Sequence, residues 1–151
     1  MYSIQSTMPT AIINYLIMQT LGKEERLKKR KVMETLFKNG KKISSGWMRI
    51  VWMEVEESSD KFPMQVAFSV SKRFFKRAVD RNRLKRLMRE AYRKNKEQIY
   101  SFLNENNLKC ALVFVYNKKE LETYKGVEEK INLTLIRLEE AIKKEKNLVK
   151  E

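Results

Sequence analysis

Residues 72–93, KRFFKRAVDRNRLKRLMREAYR, carry Lys or Arg at ten of twenty-two positions. Charge at that density cannot be buried, yet a regular apolar set runs through it. On a helical wheel of about 100° per residue, Leu84, Leu87, Met88, Ala91 and Tyr92 occupy an arc of roughly 140°. Asn82, Lys85, Arg86, Arg89, Arg93 and Lys96 occupy about 100° on the other side. A helix with one face in a core and one cationic face satisfies both patterns, and its main part is expected to begin at Arg81 with Asp80 as N-cap. Solvated helix faces tend to pair Glu with Lys at i,i+4, whereas this one stacks Lys85, Arg89 and Arg93. Each such like-charge pair destabilises a free helix by about 0.2–0.5 kcal/mol. A bound polyanion relieves that repulsion.

The whole chain supports a polyanion partner. It has 151 residues and a formal net charge of +14. The excess is confined to two blocks: residues 72–96 hold 12 basic and 2 acidic residues, and residues 23–42 hold 9 and 3. The remainder is slightly acidic. Nucleic acid is the first partner such a field attracts, with an anionic membrane second. A membrane-surface helix would expose bulky apolar residues beside its cations, and here those residues are needed for a core. The apolar run AIINYLIM (11–18) is too short to span a bilayer and has no preceding basic residue to make it a signal peptide.

The chain has no His and a single Cys, Cys110. A Cys/His zinc site, a Ser-His triad, a Cys-His pair and an intrachain disulfide are thereby excluded. The lone thiol fits a reducing cytosol and a place in the core. Hydrolysis by the protein itself through two metals would need clustered carboxylates, and Asp60 and Asp80 are the only Asp residues.

Along the chain, a first helix is expected from about Glu24 or Lys29 to Asn39, with Val32, Met33, Leu36 and Phe37 on one face and Gly40 as its stop. WMRIVWMEVE (47–56) and FPMQVAFSV (62–70) read as strands, joined at Glu57-Ser58-Ser59-Asp60 into an antiparallel hairpin. ALVFVYN (111–117), apolar throughout, reads as a central strand. A last helix from about Val127 to Lys146 turns Ile131, Leu135, Leu138 and Ile142 inward. The order is α-β-β-α-β-α, with helices packed on a sheet of three or four strands. One domain is expected over residues 21–147, with residues 1–20 as an N-terminal extension that adds little to function and 148–151 as a tail.

The residues Arg81-Asn82-Arg83, Leu84-Lys85-Arg86, Arg89-Glu90 and Arg93 resemble the RNR signature of the bacterial ribonuclease P protein subunit. Ser69-Val70-Ser71-Lys72-Arg73 and Ala78-Val79 before them also fit, as do Arg26-Leu27-Lys28-Lys29-Arg30-Lys31 and Leu36-Phe37-Lys38-Asn39-Gly40. The resemblance covers about residues 20–145. It implies an α+β fold, a two-layer α/β sandwich with a left-handed βαβ crossover, as in ribosomal-protein-like folds. It also implies a cytoplasmic protein that binds a catalytic RNA and the 5′ leader of precursor tRNA, with no membrane and no obligate protein partner. The RNA would carry the hydrolysis with its bound Mg2+, so the protein would need neither catalytic side chains nor a metal site of its own.

Carried over by resemblance, Arg77, Arg81, Asn82, Arg83, Lys85, Arg86, Arg89 and Arg93 would bind the RNA subunit. Arg30, Lys31, Met33, Phe37, Trp52 and Lys72 would bind the leader. There are departures from the family pattern. Met33 stands where a second aromatic is common, and Asn117 where some members have Arg. Phe75-Lys76-Arg77 replaces a frequent glycine before Ala78-Val79, and the first strand lacks the Tyr of some members, which leaves Trp52 either as its substitute or as a core residue. Two alternatives share the composition: a structural RNA-binding module of ribosomal-protein type, and a DNA-binding module. The latter would project its recognition helix into a groove, whereas a cationic helix crossing a sheet suits RNA backbone and shape.

Overall fold

A computed structural model describes residues 21–56 and 62–147. The expectations for residues 1–20, for the turn at 57–60 and for the tail lie outside these. The elements are α1 (Arg30–Asn39), β1 (Lys41–Ser45), β2 (Met48–Glu54), β3 (Met64–Val70), α2 (Ala78–Asn95), α3 (Glu97–Glu105), β4 (Cys110–Tyr116) and α4 (Tyr124–Glu145). Mixed helices and strands around one four-stranded sheet make the expected α+β architecture.

The sheet order is β1-β2-β4-β3, with β3 parallel to β4 and the other pairs antiparallel. This corrects the expected hairpin: β2 and β3 are not neighbours, because β4 lies between them. The reason is in β4 itself. Its consecutive apolar residues need cover on both faces and both edges, and only an inner position provides that. The connection from β3 to β4 is therefore a crossover through α2 and α3.

Period-two alternation then divides the side chains. Ile50, Trp52, Val66, Leu112 and Phe114 enter the large core under α2, α3 and α4. Val51, Ala111 and Val113 turn the other way and pack under Leu36 of α1. Leu84, Met88, Ala91 and Tyr92 of α2 are buried, as the wheel requires, and so are Ile131, Leu135, Leu138 and Ile142 of α4.

Several boundaries differ from expectation for local reasons. β1 is short and polar, with Ile43 its one apolar residue, so no alternation announces it. Gly46, with φ of +62°, makes the two-residue turn into β2 that a side chain would strain. Gly40 ends α1 as expected, its N–H reaching the Leu36 carbonyl at 2.7 Å, but its φ is ordinary. Glycine is required there by space: a Cβ would stand 2.6 Å from Val51 Cγ1. α2 begins at Ala78 with Arg77 as N-cap, so Asp80 is not the cap; it sits in the first turn, where its charge favours the helix dipole. α2 ends where the Asn95 side chain donates to the Ala91 carbonyl at 2.7 Å, and the unexpected α3 follows, burying Ile99, Tyr100, Phe102 and Leu103. Thr123 caps α4 through a bond from the Gly126 N–H.

The segment before α1 lies along the free edge of β3. Leu27 N–H bonds the Val66 carbonyl at 2.9 Å, and Arg26 bridges Val66 in parallel. Glu25 anchors this segment from inside. One of its oxygens accepts from Lys96 Nζ at 2.5 Å and from the Tyr100 hydroxyl at 2.8 Å. The other accepts from Gly22 N–H at 2.8 Å, and Tyr100 shares a further bond with Tyr92. Nothing in the charge pattern announces that Glu25 and Lys96 meet.

Cys110 is 2% exposed, in the core as expected. Burial pushes its thiol from 9.0 up to about 12. Above the ordinary thiol range the unfolded chain therefore holds fewer protons than the folded one. The stability from this group is intact below about pH 9 and is lost as pH rises toward 12, at about 1.4 kcal/mol per pH unit. Urea midpoints measured across that window are expected to fall, and to fall less steeply in Cys110→Ala. Equal slopes would show that the thiol does not ionise on unfolding.

Candidate nucleic-acid interface

The outer face of α2 follows from its inner one: once Leu84, Met88, Ala91 and Tyr92 are buried, the intervening residues must face away. Asn82, Arg83 and Arg86 are exposed, and Lys85 and Arg89 are half-buried. Among the described residues, Arg83, Lys85, Arg86 and Arg89 make no ion pair. Arg77 is exposed at the N-cap of the same helix.

Two of the predicted arginines are already engaged. Arg81 Nη1 donates to the carbonyls of Phe75 at 2.7 Å and Lys76 at 2.9 Å. It thus ties down the turn between β3 and α2 and positions its neighbours. Arg93 bonds Glu90 at 2.5 and 3.1 Å. The Arg93 guanidinium holds the Glu90 carboxyl below its ordinary range, the hydrogen bond being the main cause. The free charge is consequently concentrated in the N-terminal two-thirds of the helix.

The residues expected along a leader are not all brought together. Phe37, 52% exposed, lies one turn beyond Met33 on α1. Met33 packs on the small core, as do the half-exposed Ala67 and Val115 of the sheet. Arg49, exposed, stands beside Val115 and is in line with Ser69 through the sheet register. These residues form an open strip of sheet beside α1. Lys31 is exposed on α1, and Arg30, also exposed, pairs with Glu34 at 3.2 Å. Lys72 is exposed in the turn after β3.

Trp52 is the correction. It is 4% exposed and lies in the large core on the opposite face of the sheet, and its buried indole N–H has no acceptor among the described residues. Alternation puts it in phase with Ile50, on the helix-covered side. The same alternation points Arg49 to the open face, a signal in MRIVW that the resemblance did not use. Among the described residues no three His, Cys, Asp or Glu side chains converge as a metal site would need. No described helix is long and apolar enough to cross a membrane.

Comparison with known proteins agrees with this fold. The sequence matches the Ribonuclease P family over residues 21–139. It is 31% identical over 140 residues to the ribonuclease P protein component of Chlorobium phaeobacteroides, covering 85% of this chain and 96% of that one. With the ribonuclease P protein component of Porphyromonas gingivalis the identity is 36% over 118 residues, covering 78% and 85%. Among solved structures, the RNase P protein of Thermotoga maritima superposes with a TM-score of 0.58 at 25% identity, covering 75% of this chain and 96% of that one. That of Staphylococcus aureus has a TM-score of 0.59 at 19% identity, covering 77% and 95%, and speaks to the fold alone. The family match takes in both basic segments and every strand between them, so this chain belongs to the ribonuclease P protein component family.

Proposed function

We propose that this protein is the subunit that docks on the ribonuclease P RNA through the outer face of α2 and holds the 5′ leader of precursor tRNA along α1 and the open strip of sheet. Hydrolysis at the mature 5′ end is then metal-dependent and carried by the RNA, with Mg2+ held mainly by RNA and substrate. The protein contributes binding and neutralises phosphates, in the cytoplasm where its free thiol stays reduced. One observation carries the reading: Lys85, Arg86 and Arg89 share one face of α2 with Arg83 at its edge, and none of the four has an ion pair among the described residues. Arg81 and Arg93 shape that face more than they bind from it.

The test is cleavage of a 5′-labelled precursor tRNA at low magnesium by the protein, by its cognate RNA and by both. Activity of the mixture above that of the RNA alone, at the mature 5′ end, supports the reading. Activity of the protein alone refutes it. Binding without enhanced cleavage leaves a structural RNA-binding module.

On the leader side, Phe37→Ala is expected to weaken binding of leader-bearing precursor by about 5- to 100-fold, the equivalent of one base stack. Leaderless tRNA should be affected little, because an exposed Phe37 contributes little to the core. Equal losses on both substrates would assign Phe37 to folding.

A further inference from the structure

The two basic segments, joined inside by Glu25 and Lys96, also face each other across a groove. A groove of about 200 Å³ opens between residues 26–28, the edge of β3 and the flank of α2. Its apolar lining includes Leu21, Leu27 and Phe68, and its cations are Arg26, Lys28 and Arg89. The groove is held in shape from two sides, by the Leu27 bond to β3 and by the Glu25 anchor behind it. A water's share of liquid is about 30 Å³, so the space suits a few waters or one planar heterocycle.

Charge selects the occupant. Among the described residues none of the three cations has an ion pair. Residues 1–20 contain no Asp or Glu, so the chain's own N-terminal segment has no side-chain carboxylate to offer them. An unstacked nucleotide offers both a flat apolar face and a flanking phosphate. The larger groove between α3 and α4, about 1030 Å³, lacks this selectivity: it is lined by Glu97, Glu105 and Glu139 as well as Lys94 and Lys143.

We propose that the groove takes a single unstacked nucleotide of bound RNA. The base lies against Leu21, Leu27 and Phe68, and the flanking phosphates lie against Arg26, Lys28 and Arg89. This rests on the RNA-binding reading above and adds to it a base-holding pocket that is separate from Phe37 and the α1 strip. The segment at 21–28 then acts as part of the interface, and its attachment through Glu25 bears on binding.

The test uses the full-length protein with the cognate catalytic RNA in one arm and precursor tRNA in the other, each carrying 4-thiouridine or 6-thioguanosine at random positions. After irradiation, crosslinks are mapped on both chains. The expected result joins residues 21–28 or 66–68 to one or two nucleotide positions in one of the RNAs, and the arm identifies which. Leu21→Trp fills the groove without changing charge; it should weaken that RNA by about 10-fold with an unchanged salt slope. Arg26→Gln should instead lower the slope by about one. RNA binding with no crosslink to these residues, or with crosslinks spread along many positions, overturns the pocket and leaves the proposed function standing. So does a folded Leu21→Trp variant with unchanged affinity. Failure of the unmodified protein to bind either RNA would overturn the proposed function itself.

Discussion

Replacing Glu25 by alanine is expected to lower the unfolding free energy by about 3–5 kcal/mol, from a total of about 5–15 for a domain of this size. Glu25 is 0% exposed and Lys96 1%. Truncation would take the Glu25 counter-charge from the Lys96 ammonium in the core, and the Glu25 acceptor from Tyr100 and the Gly22 N–H. Burial already depresses Lys96 below its ordinary value of 10.5, and the Glu25 hydrogen bond opposes that shift. Removing Glu25 depresses it further. With the folded pKa below the unfolded one, the unfolded chain binds more protons in the window beneath 10.5, so stability rises with pH across it. The deficit of Glu25→Ala relative to the unmodified protein should therefore narrow as pH approaches 10.5. Urea denaturation at several pH values measures both effects. Glu25→Leu combined with Lys96→Met removes both charges and is expected to recover most of the loss. A single-variant loss below about 1 kcal/mol, the scale of a surface pair, would show that this contact does not anchor the segment.

The second large effect is on RNA. Arg83→Glu with Arg86→Glu is expected to weaken binding to the RNA subunit by about 100-fold at low salt and to lower the salt slope by about two, since each lost phosphate contact removes 0.7–0.9 of slope. Both side chains are exposed and unpaired among the described residues, so the fold should be unaffected. Arg93→Glu is the internal control. It breaks a pair with Glu90 instead of freeing a phosphate, and its effect on the slope should be the smaller. If all three charge reversals lowered affinity alike with one common slope change, the long-range field would be acting, not specific contacts.

Much of this was legible in the residues. The two faces of α2 followed from a period of 3.6, and the inward stripe of α4 likewise. The excess of +14, gathered in two blocks, pointed to a polyanion before any fold was in view. The extended motif around Arg81-Asn82-Arg83 pointed to the family. The helix of residues 97–105 was also visible in principle, through Ile99, Tyr100, Phe102 and Leu103, but it was hidden behind the preceding basic helix.

What the residues alone determined, then, was each segment's inner and outer face and the sign of its partner, because periodicity and charge are properties of a local stretch. Tertiary structure decided which faces met. It put β4 between β2 and β3, since alternation states which side chains share a side but not which strand is alongside. The helices then decided which side of β2 was covered, the side of Ile50 and Trp52, and left that of Arg49 open. It also decided which charges were free: Arg81 was claimed by two carbonyls, Arg93 by Glu90, and Lys96 by a carboxylate seventy-one residues away. A count of cations is local arithmetic, whereas the partner of each one depends on long-range packing, because burial brings together groups that the sequence keeps apart.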